Sequence, residues 1–180
     1  MLTILMETRN HEAELAQTLS VLVAGAVEGL VSDVVILDCG SHDGSSLVAD
    51  AAGCRFYRDW EISTVLESVR GDWLLIIEPG ARPLSGWIDE IADYVGFGRQ
   101  PARFSLSRHD RPPVWRRWLR KEGPLECGLL IARRQSLAYV GPGMRLADLA
   151  TAAKPVRLKS EIVPARAMRQ VRDESIIRPE

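Results

Sequence analysis

The chain has 180 residues, of which 46% are hydrophobic and 26% charged, and its formal net charge is −1. This length and composition predict one globular domain and exclude a disordered chain, while a charge so near zero argues against a nucleic-acid partner. Three scattered cysteines predict neither a disulfide framework nor a zinc site. Since the sequence also lacks a signal-peptide pattern and any run of roughly 18 apolar residues, we expect a cytoplasmic protein.

Apolar runs alternate with amphipathic segments over the first hundred residues. The short runs predict buried strands near residues 2–6, 34–37, 54–57 and 73–77. The segments between and after them predict helices: one capped by Thr8 or Asn10 and ended by Gly25 and Gly29, one over residues 45–52, one around Val65, and one over residues 87–95. Strands that are apolar on both faces and alternate with helices predict an α/β fold, with a mostly parallel central sheet flanked by helices on both faces.

The alternation is less regular after Gly98. Further strands are predicted over residues 104–106, 129–132 and 156–158, and further helices from about Arg111 and over residues 144–153. The charged C terminus is typical of a frayed tail. We therefore predict a single domain over residues 1–165 and a tail over residues 166–180.

Three polar turns follow predicted strands. They are Thr8-Arg9-Asn10, the Asp38–Gly44 turn and Glu78-Pro79-Gly80. Right-handed crossovers place the carboxyl ends of parallel strands on one edge of the sheet, where ligands bind in open α/β folds. The sequence therefore predicts a binding site where these three turns meet.

Four segments carry a resemblance to a known family. They are Glu7-Thr8-Arg9-Asn10-His11-Glu12, Asp38-Cys39-Gly40-Ser41-His42-Asp43-Gly44, Val69-Arg70-Gly71-Asp72-Trp73 and Gly128-Leu129-Leu130-Ile131. They are similar, in that order, to the Pro-Thr-x-Asn-Glu, Asp-x-Gly-Ser-x-Asp-Gly, Ala-x-Gly-Asp-Trp and Gly-Leu-Leu-Ile motifs of family 2 glycosyltransferases of the GT-A fold. The second segment matches at every fixed position, and the chain looks like a short bacterial-type member whose metal and base motifs are eroded.

The resemblance implies a GT-A-like fold that binds a nucleotide-sugar. Thr8 and Asp38 would contact the base and the ribose, where a carboxylate accepts hydrogen bonds from N–H and O–H groups. The other positions of these motifs predicted to belong to the site are Asn10, Gly40, Ser41 and Asp43. A turn of this kind can also cap a helix, so the alternative for Asp43 is that it caps the following helix and does not contact the ligand.

One departure from the family concerns the metal. Family members end the fourth strand in Asp-x-Asp, which holds a divalent ion against the donor diphosphate, whereas Glu78-Pro79-Gly80 stands in that place here. Magnesium often binds through one or two carboxylates together with phosphates and water. We therefore predict that Glu78 is the remaining protein ligand of Mg²⁺ or Mn²⁺. The alternative is that Glu78 binds no metal and that its carboxylate faces water at the end of the strand.

A second departure concerns the general base. The family carries a Glu-Asp pair at a helix start, and the corresponding residues are Arg145 and Leu146. An inverting transfer requires a base within hydrogen-bond reach of the acceptor oxygen. The carboxylates predicted to serve instead are Asp148 and Glu126.

The segment Trp115–Lys121 is locally basic and aromatic, and its two tryptophans are spaced to share one face of a helix. It predicts either a helix that buries its tryptophans in the core, or a contact with an anionic membrane or a lipid-phosphate acceptor. The second interpretation places the protein at the inner face of the membrane, in the synthesis of cell-envelope polysaccharide.

Three functions are open at this point. The first is an inverting glycosyltransferase that moves a sugar from a nucleotide-sugar to a sugar, lipid or protein acceptor. The second is a non-catalytic relative that binds a nucleotide-sugar or a protein partner, which the lost acidic pairs favour. The third is a methyltransferase, because Asp38-x-Gly40-x-x-x-Gly44 also resembles an S-adenosylmethionine loop; His42 in place of the middle glycine argues against it.

Overall fold

The computed structural model describes residues 1–111 and 123–170. Within these ranges eight strands form one sheet: β1 (Leu2–Thr8), β2 (Val31–Asp38), β3 (Arg55–Tyr57), β4 (Trp73–Ile76), β5 (Arg82–Pro83), β6 (Ala102–Leu106), β7 (Leu129–Ala132) and β8 (Val156–Val163). Their order across the sheet is β3-β2-β1-β4-β7-β6-β8-β5. β5 and β7 run antiparallel to their neighbours, and the other six strands share one direction. The prediction of a mostly parallel sheet is confirmed.

Helices cover both faces of this sheet, as predicted. They are α1 (Glu12–Val27), α2 (Ser45–Ala51), α3 (Ile62–Ser68), α4 (Trp87–Phe97), α5 (Arg133–Tyr139) and α6 (Leu146–Ala152), followed by a helical stretch, α7, over residues 165–170. Buried side chains of α1, α2 and α4 pack on one face of the sheet. Those of α3 and α6 pack on the other face.

Strand β1 contributes to both cores, because successive side chains of a strand point to opposite faces. Leu2, Ile4 and Met6 pack with α1 and α4, and Leu5 packs with α3 and α6. All four side chains are fully buried. Burying each one contributes on the order of 1.5–3 kcal/mol, so the two cores together fix the position of β1 and of the loop that follows it.

The start of α1 differs from the prediction. Neither Thr8 nor Asn10 caps it; the residue at the cap position is His11, whose side chain makes no capping hydrogen bond. The first N–H of the helix, that of Glu12, donates instead to Asp43 Oδ2 at 3.0 Å. A cap supplied from 31 residues away leaves no signal in the local sequence.

Gly25 was predicted to end α1, yet it lies within the helix. A Cβ atom at this position would lie 2.7 Å from Cη2 of Trp87 at the start of α4. Gly25 therefore allows α4 to pack directly against the α1 backbone, and α1 continues to Val27. The glycine marks a close helix contact rather than a helix end.

Some elements were not predicted at all. β5 has two residues and pairs with the end of β8, which extends well beyond the predicted residues 156–158. Such a short strand has no periodicity to recognise.

The Trp115–Lys121 segment and residues 171–180 lie outside the described residues, so their roles and the predicted domain boundary at residue 165 stay predictions. Within the described ranges, no helix combines the length and apolar character needed to cross a bilayer.

Candidate functional site

The three polar turns lie on one edge of the sheet, as the sequence predicted. Thr8 and Asp38 are register partners at the ends of β1 and β2. The N–H of Ile77, just after β4, donates to the carbonyl of Leu5 at 3.2 Å, which brings Glu78 to the same edge. We call residues 9–11 the first loop, residues 39–44 the second loop and residues 77–81 the third loop.

Hydrogen bonds join the first loop to the second. Asn10 N–H donates to Ser41 Oγ at 3.0 Å, and Asn10 Oδ1 accepts from the N–H of His42 at 2.8 Å. Among the described non-glycine residues only Asn10 has a positive φ, of 56°. Asparagine tolerates this conformation better than most residues do. Asn10 and Ser41 thus hold the two loops in a fixed relation.

Asp43 ties the second loop to the first turns of α1 and α2. Its carboxylate accepts from the N–H of Glu12, and from the N–H and hydroxyl of Ser45 at 3.0 and 2.6 Å. In return, Glu12 Oε2 accepts from Gly44 N–H at 2.9 Å. Partial burial alone would raise the pKa of Asp43, but the bonds from Ser45 and Glu12 outweigh it and hold the pKa below its ordinary value of 3.8.

Asp38 lies buried at the base of the second loop. Both of its carboxylate oxygens accept from the N–H of Ser41, at 3.1 and 3.2 Å. Its carbonyl accepts from Trp60 Nε1 at 2.9 Å. Gly40, with φ of 86°, makes the left-handed turn between Asp38 and Ser41. Because one shared N–H leaves lone pairs on both oxygens, the Asp38 carboxylate keeps capacity for a further donor.

A cavity of about 310 Å³ opens at this edge. The residues that line it are Glu7, Thr8, Arg9, His11, Cys39, Ile77, Glu78, Pro79, Leu125, Arg145, Ala147 and Arg169. Of the residues predicted from the sequence, Thr8 and Glu78 lie in the cavity wall. Those that lie outside the wall are Asn10, Asp38, Gly40, Ser41, Asp43, Glu126 and Asp148. Most of the motif residues therefore surround and support the cavity.

Thr8 lies in the cavity wall with a buried side chain. Thr8 is 1% exposed, and its Oγ1 has no hydrogen-bond partner among residues 1–111 and 123–170. A buried hydroxyl without a partner is unfavourable by about 1–3 kcal/mol.

Glu7 and Arg145 form an ion pair across the cavity. Arg145 Nε and a terminal nitrogen donate to Glu7 Oε2 at 2.8 and 2.5 Å, and the N–H of Leu146 donates to Glu7 Oε1 at 2.6 Å. The Arg145 guanidinium also lies 5.5 Å from the centre of the Trp60 ring and donates to Cys39 Sγ at 2.9 Å. Hydrogen bonding to Glu7 raises the pKa of Arg145, so its guanidinium stays positively charged.

The two predicted bases have other partners. Asp148 is exposed, and its carboxylate accepts from the N–H of Arg145, the residue before α6, at 2.8 Å. Glu126 is 5% exposed, and its Oε1 lies 2.5 Å from Nε of Arg166. Neither carboxylate lines the cavity.

Glu78 also has a cationic partner. Its Oε2 lies 3.1 Å from a terminal nitrogen of Arg169, and both side chains remain more than a third exposed. Among the described residues no group of three or more His, Cys, Asp or Glu side chains could hold a metal ion. The residues here therefore do not fit a divalent ion held by protein ligands alone, because the single carboxylate already faces a guanidinium.

Two further groups in the wall are neutral near pH 7. Burial lowers the pKa of His11 below 6.5, more than the nearby carboxylates raise it. Burial likewise raises the pKa of the Cys39 thiol above 9.0, despite the opposing effect of Arg145. The fixed charge of the cavity thus comes from three arginines and two glutamates, with one positive charge in excess.

Sequence reasoning named neither Glu7 nor Arg169 as a site residue, and it placed Arg9 at the site only as part of the Thr8-Arg9-Asn10 turn. Arg169 contacts Glu78 across 91 residues of sequence, and no local pattern predicts such a contact. One indication was present in the sequence, namely the single carboxylate at Glu78. The loss of the second carboxylate of the Asp-x-Asp motif indicates that a basic side chain could replace the metal ion.

No protein-family model and no curated protein matches the chain. Solved structures do match it. Glucosyl-3-phosphoglycerate synthase from Mycobacterium tuberculosis, in complex with Mn²⁺, UDP and glucosyl-3-phosphoglycerate, is 18% identical with a TM-score of 0.61, over 91% of this chain and 71% of that chain. The complex of that synthase with Mn²⁺ and UDP-glucose is 17% identical with a TM-score of 0.60, over 98% of this chain and 76% of that chain.

At these identities the likeness shows the fold. The chain has a GT-A-like α/β fold, which confirms the fold class that the motifs predicted.

Proposed function

We propose that the chain is a glycosyltransferase whose cavity binds a nucleotide-sugar, and that it transfers the sugar, with inversion, to a sugar, lipid or protein hydroxyl. The observation that carries this proposal is the position of the cavity, with its unpartnered Thr8 hydroxyl, at the carboxyl edge of β1, β2 and β4. Ligands of open α/β sheets bind at this edge. The solved structures with the same fold include complexes with UDP and UDP-glucose.

The charge of the cavity supports a diphosphate ligand. Arg9, Arg145 and Arg169 line it, and guanidinium groups bind phosphate oxygens through paired hydrogen bonds. In this proposal the base and ribose lie near Thr8 and the buried carboxylate of Asp38. Asn10, Gly40, Ser41 and Asp43 hold the loops around the donor.

Transfer requires a carboxylate to take the proton of the acceptor hydroxyl. The acceptor oxygen then forms a bond with the anomeric carbon while the bond from that carbon to the diphosphate breaks, and the nucleoside diphosphate leaves with the electron pair. Asp148 can serve as this base once it releases the N–H of Arg145. Glu126 can serve once it separates from Arg166.

A non-catalytic relative that binds the same donor is the second candidate. The observation in its favour is that both carboxylates in the cavity wall, Glu7 and Glu78, are paired with arginines, and that both predicted bases lie outside the wall. Such a protein would bind the donor without turnover.

A thermal-shift panel tests these proposals. The purified chain is heated with UDP-, GDP- and dTDP-sugars, with S-adenosylmethionine, and with no ligand. Ligand at a hundred times its Kd stabilises the native state by about 2.7 kcal/mol, which corresponds to a shift of about 5–10 °C for a domain of this size. A shift with one sugar nucleotide supports the donor site, and a shift with S-adenosylmethionine alone would overturn it.

Two further measurements separate the candidates. Release of nucleoside diphosphate from the stabilising donor, in the presence of candidate acceptors, distinguishes transfer from binding alone. Asp38→Ala should weaken donor binding at 25 °C, measured by calorimetry. An unchanged Kd would place the base and ribose away from Asp38.

A further inference from the structure

Glu78 stands in the sequence where the resembling family carries its Asp-x-Asp motif, and in the structure its carboxylate faces Arg169. Glu78 follows β4 in the third loop, and Arg169 lies on α7. Their closest nitrogen and oxygen atoms are 3.1 Å apart, and both residues line the cavity. A guanidinium thus occupies the contact that a metal ion would make with this carboxylate.

We propose that Arg169 takes the role of the metal ion and neutralises the diphosphate of the donor. In the free protein, Arg169 is instead paired with the Glu78 carboxylate. This inference rests on the nucleotide-sugar site proposed above. The incoming diphosphate displaces the Glu78 carboxylate and takes over its hydrogen bond with the guanidinium. Binding is therefore independent of a divalent ion.

The exposure of the pair fits such an exchange. The Arg169 side chain is 45% exposed and that of Glu78 36%, so a ligand can reach both groups. An exposed ion pair of this kind is weak, whereas a diphosphate offers a guanidinium more charge and two or more acceptor oxygens. Arg9, in the first loop, lines the same cavity and adds a second cation.

The proposal and a metal site predict opposite effects of one substitution. If Glu78 held an ion, Glu78→Gln would weaken donor binding. If Glu78 competes with the diphosphate for Arg169, Glu78→Gln removes the competitor and binding becomes tighter. The amide has nearly the same shape as the carboxylate, so the fold is not expected to change.

The experiment measures the Kd of UDP, GDP and inorganic pyrophosphate by calorimetry, first in EDTA and then with an excess of MgCl₂ or MnCl₂. We expect binding in EDTA, a Kd raised about tenfold or more by Arg169→Ala, and a Kd lowered severalfold by Glu78→Gln. Arg169→Lys should restore part of the loss. Arg70→Ala, an exposed arginine beside Gly71 at the opposite edge of the sheet, is the matched control and should leave the Kd unchanged.

The outcomes separate this inference from the proposed function. Binding of a nucleoside diphosphate only with Mg²⁺ or Mn²⁺, weakened by Glu78→Gln, would overturn the role of Arg169 and leave the donor site in place. Failure of every nucleotide, sugar nucleotide and pyrophosphate to bind in either buffer would overturn the proposed function, and this inference with it. Folding of each variant is checked by its melting temperature without ligand.

Discussion

Replacing Thr8 by valine tests the unpartnered hydroxyl in the cavity wall. Valine keeps the shape of threonine and removes its hydroxyl. Thr8 is 1% exposed, and its Oγ1 has no partner among the described residues. An unsatisfied buried polar group destabilises a protein by about 1–3 kcal/mol, so Thr8→Val should raise the free energy of unfolding by about 1 kcal/mol when no ligand is present. For a domain of this size that is a rise in Tm of about 2–4 °C.

The matched control is Thr3→Val at the other end of β1. Thr3 is as deeply buried as Thr8, but its hydroxyl accepts a hydrogen bond from the N–H of Gly71 at 3.1 Å. Removing that hydroxyl leaves the Gly71 N–H buried without an acceptor. Thr3→Val should therefore lower the free energy of unfolding by about 1–3 kcal/mol.

Denaturant unfolding of both variants, followed by tryptophan fluorescence, gives the two free energies directly. We expect opposite signs for the two substitutions, and weaker donor binding for Thr8→Val alone. Equal destabilisation by both would mean that the Thr8 hydroxyl is already hydrogen-bonded in the free protein. The argument for a ligand contact at Thr8 would then fail.

Three further predictions concern packing, capping and pH. Gly25→Ala should lower the free energy of unfolding by about 1–3 kcal/mol in denaturant, because its Cβ would lie 2.7 Å from the Trp87 ring. The control is Gly96→Ala in α4, where a Cβ has no atom within 4 Å. This control should be neutral or stabilising by up to about 1 kcal/mol. Asp148→Ala should lower stability by about 0.5–1 kcal/mol, because the N–H of Arg145 before α6 loses its acceptor. Turnover should stay unchanged if Asp148 has only this structural role, whereas loss of turnover with a retained donor Kd would make it the base. Asp43→Asn should lower Tm at pH 7. The native-state pKa of Asp43 lies below 3.8, so the ionised carboxylate stabilises the protein above that pH and loses this effect as the pH falls through the native-state pKa. The Tm difference between Asp43→Asn and the unmodified protein should therefore vanish in acid. A difference that persists in acid would contradict a stabilising role of the ionised carboxylate.

The sequence predicted the sheet, its covering helices and the edge at which the loops meet, because these follow from local patterns. The strand over residues 129–132 was predicted with its observed bounds, and α2 within one residue. Apolar runs and turn residues lie close together in the sequence and need no knowledge of the rest of the chain. The fold class could be derived for the same reason.

The content of the cavity could not be predicted in this way. The contact between Glu7 and Arg145 spans 138 residues, and that between Glu78 and Arg169 spans 91. Charged residues of this kind look like ordinary surface residues until the fold brings them together. The start of α1 was missed for a related reason, since its capping carboxylate comes from Asp43 in another loop.

Five residues of the motif segments line the cavity, namely Glu7, Thr8, Arg9, His11 and Cys39, whereas the other residues of these segments do not. Asn10, Ser41 and Asp43 match the motifs yet spend their polar atoms on hydrogen bonds between the first and second loops. These residues maintain the geometry of the two loops at the carboxyl edge of the sheet, whatever ligand this edge binds. The charge of the cavity comes partly from the first motif segment, through Glu7 and Arg9, and partly from Glu78, Arg145 and Arg169 elsewhere in the chain. The motifs therefore indicate the fold and the place of the site, and the charged residues at variable motif positions and beyond the motifs decide what binds there.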